Sequence, residues 1–290
     1  MQEILKNLLS FLAKIFPKIK ENQKGLEVHI EDIESYQRPG LLLMHDSTNS
    51  FSKIGGMPNL PENLSWPMWQ GKALSFICQI DLSEIKPKGT NLMLPEVGTL
   101  FFFYNQDLDT WGYNPKDKGS WSVLYSKKSR IDCKDSLPPK TLDRYGIYNS
   151  RFIKFKNIKK YPSSDEEKIE SLELNEKQRN EYYKLIKSAY KNVPTHQVGG
   201  YALSIQNSSM DWECQIISNG IDNYGHPEWH ESDKVKSLSP GKKDWVLLCQ
   251  IDSDDELGMI WGDYGKLYFW IKKSDLKKKD FSNCWMILQC

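Results

Sequence analysis

The chain has little of what usually identifies a protein's chemistry. Its six cysteines stand at 78, 133, 214, 249, 284 and 290, and no two have C-x-x-C spacing. That argues against a zinc ribbon or a thioredoxin-like redox site. Six cysteines in 290 residues are also too few for a disulfide framework. No serine sits in a G-x-S-x-G elbow. The two Gly-Gly pairs lack the flanking residues of a dinucleotide or P-loop phosphate cradle. Net charge is only +1, so no field of one sign recruits nucleic acid. No stretch is apolar for long enough to span a bilayer. From these features we expect no cofactor, no nucleic-acid partner and a cytoplasmic location.

Aromatic residues are plentiful: ten Trp, fourteen Tyr and eleven Phe. Such side chains favour strands and bury much area each. The chain also repeats itself. Residues Leu74 to Asp81 read LSFICQID, and Trp245 to Asp252 read WVLLCQID. A Gly-Gly pair precedes each copy, Gly55-Gly56 and Gly199-Gly200. An aromatic run follows each, Leu100 to Tyr104 and Leu267 to Ile271. Three elements twice in the same order predict an internal duplication of one β-rich unit. Strict alternation in the first copy puts Leu74, Phe76, Cys78 and Ile80 on one face and Ser75, Ile77 and Gln79 on the other. Cys78 and Cys249 read as small core residues.

Residues 1–20 carry Ile4, Leu5, Leu8, Leu9, Leu12, Ile15 and Phe16 at three- and four-residue intervals, with lysines between. This predicts an amphipathic helix that docks on the domain. A basic amphipathic face making weak membrane-surface contact is the alternative. Lys14 interrupts the apolar stretch and no small-residue cleavage site follows, unlike a signal peptide. Gly40 to Met44, Trp121 to Tyr125 and Arg151 to Phe155 read as further strands. Asp280 to Gln289 reads as a turn and a last strand. Between the repeats, Ser164-x-x-Glu167 has capping-box spacing, and a second helix start falls at Asn175. Tyr182, Tyr183, Leu185, Ile186 and Tyr190 continue the helical period toward Pro194.

Several ordered blocks carry a family resemblance. They include Lys53 to Glu62 (KIGGMPNLPE), Trp66-Pro67, Phe76 to Leu82, Gly119 to Trp121 and His196 to Tyr201 (HQVGGY). Gln250 to Glu256, Trp261 to Asp263, Gly265 to Phe269 and the closing Trp285 to Cys290 complete the set. With these blocks the chain resembles the YwqG-like family of bacterial proteins of unknown function. It departs at Ala202, where the family pattern places a proline, which leaves that loop less rigid. The resemblance implies an α+β fold rich in β-structure and no established activity. Such proteins resemble accessory genes found near secreted-toxin systems, which implies an immunity or binding role by analogy.

The residues themselves suggest candidate sites, each with a structural reading beside it. Asp252, Asp254, Asp255, Glu256 and Asp263 supply oxygen ligands in a span the length of a calcium loop. The sixth position is Leu257 where such a loop needs glycine, and the twelfth is Asp263 rather than glutamate, so a capped polar loop with a Trp261-Gly262-Asp263 turn fits better. Gln79 and Gln250 lie among apolar neighbours and serve either to tie a loop such as the Gly-Gly segment or to contact a ligand. Gly56, Gly199 and Gly200 read as tight turns, with anion binding as the alternative. His226 and His230 lack the H-E-x-x-H pattern and read as loop histidines. His196 lies close to Gly199-Gly200.

These readings combine into an α+β, β-rich protein, a single compact domain over 1–290. It comprises two related antiparallel-sheet units, about 40–160 and 195–290, and a helical connection, about 163–192. The leading function is non-catalytic binding of a protein partner or a small ligand through His196, Gly199, Gly200, Gln250, Asp252, Asp254, Asp255, Trp261, Asp263, Gly56 and Gln79. A metal-dependent hydrolase or other enzyme using the 252–263 loop and His196 is the alternative that stays open.

Overall fold

The computed structural model describes residues 25–48, 50–85, 92–105, 107–127, 136–188, 194–222 and 232–290. Residues 1–20, where the sequence predicts an amphipathic helix, lie outside them, as do His226, His230 and Cys133. The chain divides into two compact units, one of residues 1–38 and 160–193, the other of 39–159 and 194–290.

The smaller unit is helical. Its core gathers Leu26, Ile33, Ile169, Leu174 and Tyr182. The helix Glu176–Ser188 starts where Asn175 predicts. Asn175 Oδ1 accepts from Gln178 N at 3.0 Å while Gln178 Oε1 accepts from Asn175 N at 2.9 Å, a reciprocal capping box. The box expected at Ser164 and Glu167 does not form. The short helix Glu167–Glu170 has Glu166 at its cap, with no capping side-chain bond.

The larger unit is a sheet. In chain order its strands are β1 (Arg38–His45), β2 (Lys53–Ile54), β3 (Met68–Trp69), β4 (Lys72–Ala73), β5 (Ser75–Asp81), β6 (Thr99–Tyr104), β7 (Trp121–Ser126), β8 (Arg151–Lys160), β9 (Gln197–Gly199), β10 (Trp245–Asp252), β11 (Lys266–Lys272) and β12 (Trp285–Gln289). β3 and β4 form a separate small hairpin. The other ten form one sheet in the order β12-β11-β10-β9-β1-β8-β2-β5-β6-β7. Its two ends approach one another, which leaves little free edge. The Trp121 indole donates to the Cys284 carbonyl at 2.9 Å, and the Trp121 and Trp285 rings meet edge-on at 4.9 Å.

The strand order reads the same from either end. Four strands run outward from β1 (β9, β10, β11, β12) and four from β8 (β2, β5, β6, β7). The registers match as well. Gln197 pairs with Leu42 and Gln250, as Lys53 pairs with Phe152 and Gln79. These sets differ from the sequence spans 40–160 and 195–290, because β1 precedes the first repeat yet pairs with β9 of the second.

Both CQID strands contain a β-bulge at the same place, the residue before cysteine. The β5–β6 register shifts between Phe76 and Cys78, and the β10–β11 register between Leu247 and Cys249. The bulge overturns the strict alternation expected for β5. Ile77, Cys78 and Ile80 join the main core, while Leu74 and Phe76 pack with Leu60, Phe101 and Phe103 in a second cluster. An extra residue in one strand puts two neighbours on the same side. Corresponding residues then meet in the interior. The Phe102 and Phe269 rings lie 5.1 Å apart, and the Cys78 thiol lies against that of Cys249. Burial pushes the Cys78 thiol well above its ordinary range, so it is inert core.

Candidate functional site

The candidate residues sort into ties made by both CQID strands and a charged cluster around His196. The glutamines are ties. Gln250 Oε1 accepts from Leu203 N at 2.8 Å, and its Nε2 donates to Thr195 O at 2.8 Å. Gln79 Oε1 accepts from Asn59 N at 2.9 Å, and its Nε2 donates to Phe51 O at 2.6 Å and Asn59 Oδ1 at 2.9 Å. Both amides are fully buried, so each needs these partners. They fasten the chain on both sides of the Gly-Gly turns. Every polar atom of both amides has a protein partner.

The glycines serve close packing. Gly55, Gly56, Gly199 and Gly200 have φ of 68°, 74°, 66° and 73°, the left-handed region. A Cβ on Gly55 would collide with the Asn149 carbonyl oxygen, and one on Gly199 would press on a Leu92 methyl. The N–H groups of Gly55 and Gly56 donate to Ile77 O and Tyr148 O, so this pair offers no anion cradle.

The charged cluster forms where the end of β10 meets the entry to β9 and the start of β8. His196 is buried. Its Nδ1 accepts from the Asp252 backbone N–H at 3.1 Å. An accepting Nδ1 in a neutral ring puts the proton on Nε2, which faces Asp254 Oδ2 at 3.4 Å. Arg151 Nη1 donates to the same Oδ2 at 2.6 Å, and its Nη2 reaches Glu256. The His196 bond first, and the Arg151 charge after it, hold the Asp254 carboxyl down at about 2 despite its burial. Asp252 Oδ2 accepts from Thr195 N at 2.8 Å, and Oδ1 pairs with Lys266 Nζ at 3.2 Å.

The loop from Ser253 to Gly265 grows out of this cluster and is fastened throughout. Ser253 Oγ donates to Gly265 O and accepts from Trp261 N, both at 2.9 Å. Asp254 and Met259 exchange backbone bonds of 2.7 and 3.1 Å. Asp254 Oδ1 accepts from Glu256 N at 3.0 Å. Asn149 donates from its backbone to Leu257 O and from its side chain to Glu256 O, each at 2.9 Å. The fully buried Trp261 ring lies edge-on to Tyr104 and Tyr148, at 6.0 and 5.6 Å. At the tip, Asp255, Glu256, Asp263 and Tyr264 are exposed. The Tyr264 hydroxyl donates to Asp255 Oδ1 at 3.0 Å.

The structure therefore brings His196, Asp252 and Asp254 together and keeps Asp255 and Asp263 at the loop surface. Gln79, Gln250 and the glycines act in the scaffold. Among the described residues, no three His, Cys, Asp or Glu side chains gather where they could hold a metal ion. The acidic oxygens turn instead to arginine, lysine, tyrosine and backbone N–H groups. Arg151, which closes the cluster, carried no signal beyond a charged strand start. Lys266 and Tyr264 carried none either.

Two comparisons bear on identity. A family model described as "Domain of unknown function (DUF1963)" matches residues 52–290. No curated protein matches the chain.

Proposed function

We propose that this chain, which belongs to the DUF1963 family, acts by non-catalytic binding, with the loop between β10 and β11 as its recognition surface. The carrying observation is that this loop is fastened by side chains along its whole length while Asp255, Glu256, Asp263 and Tyr264 stay exposed at its tip. A loop already held in place loses little conformational freedom when it binds. Its exposed charge is negative, so it suits a basic surface on a protein partner. The titratable groups nearest to acid–base chemistry are consumed in the scaffold: His196 through both ring nitrogens and Asp254 through arginine and backbone.

The matched registers, bulges and glutamine ties of the two halves support descent by internal duplication. The scaffold is then common to both halves, and recognition belongs to the loop where they differ. The YwqG-like resemblance supports a bacterial setting, with toxin neutralisation as the role, and the location proposed is cytoplasmic.

The test is charge reversal on the exposed tip. The Asp255→Lys/Asp263→Lys double variant should melt with the wild type yet lose a partner that copurifies with the wild type at low salt. Retention of that partner overturns the reading. Titration calorimetry with Ca²⁺, Mg²⁺ and Zn²⁺ should show no heat, and stoichiometric heat with any of them would favour the metal-dependent enzyme instead.

A further inference from the structure

We infer that His196 is a pH-sensitive clasp, fastening the recognition loop at neutral pH and releasing it in mild acid. Two equivalent places in the sheet offer different acceptors to the backbone. In the first half the backbone N–H of Asp81 donates to Ser52 Oγ at 2.9 Å. In the second half the N–H of Asp252 donates to His196 Nδ1 at 3.1 Å. The surroundings correspond: Ile153 N donates to Ser52 O, and Leu43 N to His196 O. A hydroxyl oxygen accepts at any ordinary pH. An imidazole nitrogen accepts only while it is unprotonated, and imidazoles ordinarily titrate between about pH 5 and 8.

Protonation of His196 Nδ1 would set two N–H donors against each other inside a buried site, and one must move. Asp252 is the last residue of β10, and the loop begins at the next. Releasing its N–H therefore loosens the base of the loop, including the Ser253 hydroxyl that holds Gly265 and Trp261. The charges facing the imidazole come from every side. Asp252 and Asp254 lie on β10 and its loop, Arg151 comes from β8 with Glu256 beyond it, and Lys266 comes from β11 through Asp252. β1 contributes the apolar Leu43. Asp254 is held as an anion by the His196 bond and the Arg151 charge.

The inference concerns the chain alone, so its failure and the failure of the binding reading are distinguishable. Hydrogen exchange on the full chain, expressed as protection relative to free peptide, tests it at the Asp252 and Trp261 amides. From about pH 7.5 to about pH 5.5 the wild type should lose protection at least about tenfold at both. His196→Ser and His196→Asn keep an acceptor that does not titrate, and should hold their protection. Equal losses in wild type and variants overturn the clasp, as does unchanged protection in the wild type. Imidazole ¹⁵N shifts of the wild type give the answer if both variants misfold. A ring that becomes doubly protonated while Asp252 stays protected is fatal to the inference.

Discussion

At the scale of single residues, two buried acids are pulled in opposite directions. Asp254 is held at about 2 by His196 and then Arg151. Its unfolded value is near 3.9, so the folded chain favours the anion. That stability is complete above about pH 4 and is lost as pH falls through about 2. Asp254→Asn should therefore cost about 2 kcal/mol at neutral pH and flatten acid unfolding between about pH 4 and 2, as followed by circular dichroism. Glu213 behaves the other way. It lies in the helix Met210–Ile217, is 7% exposed, and leaves Oε2 without a partner. Burial raises its carboxyl to about 7, against the Asn207 bond that lowers it. The folded chain then binds the extra proton, and stability falls as pH rises from about 4.5 to 7. Glu213→Gln should be nearly neutral at pH ~4 and stabilising by up to about 3 kcal/mol at pH ~8 in urea titrations.

At the scale of elements, the sequence is legible where a strand carries its own pattern. The two CQID runs, the aromatic runs and Arg151 to Phe155 all lie on strands. The Asn175 start is visible because its cap residues are three apart. What the sequence hides is set by partners far away. The bulges at Ile77 and Leu248 depend on pairing across β6 and β11, so single-strand alternation misplaces Phe76. Arg151 meets Asp254 across 103 positions, which no local pattern marks. His196 and Asp254 stand out because they flank a CQID run whose counterpart, ending in Asp81, lacks them. The glutamine ties are costly to break. Gln250→Leu removes the bonds to Leu203 N and Thr195 O, and Gln79→Leu removes those to Asn59 N and Phe51 O. Each should cost roughly 1–3 kcal/mol, two hydrogen bonds at ~0.5–1.5 each, with an unchanged m-value in urea.

At the scale of the whole sheet, the halves interleave. A fragment of residues 195–290 contains β9 to β12 but lacks β1, which lies between β9 and β8. Alone it should give a collapsed nuclear magnetic resonance spectrum. With residues 38–48 supplied through a flexible linker it should fold, and it should dimerise through the free edge of β1. A dispersed spectrum from 195–290 alone would contradict that account. The same interleaving bears on synthesis. Gly40 leaves the ribosome early, but its partner Gly199 follows only after a long wait. At ~5–20 residues per second, the delay is roughly 10–30 s. Throughout it, the apolar run Leu41 to Met44 is without its β9 neighbour. A nascent chain in that condition is a client for a holding chaperone, and crowded translation without one is where this protein should aggregate.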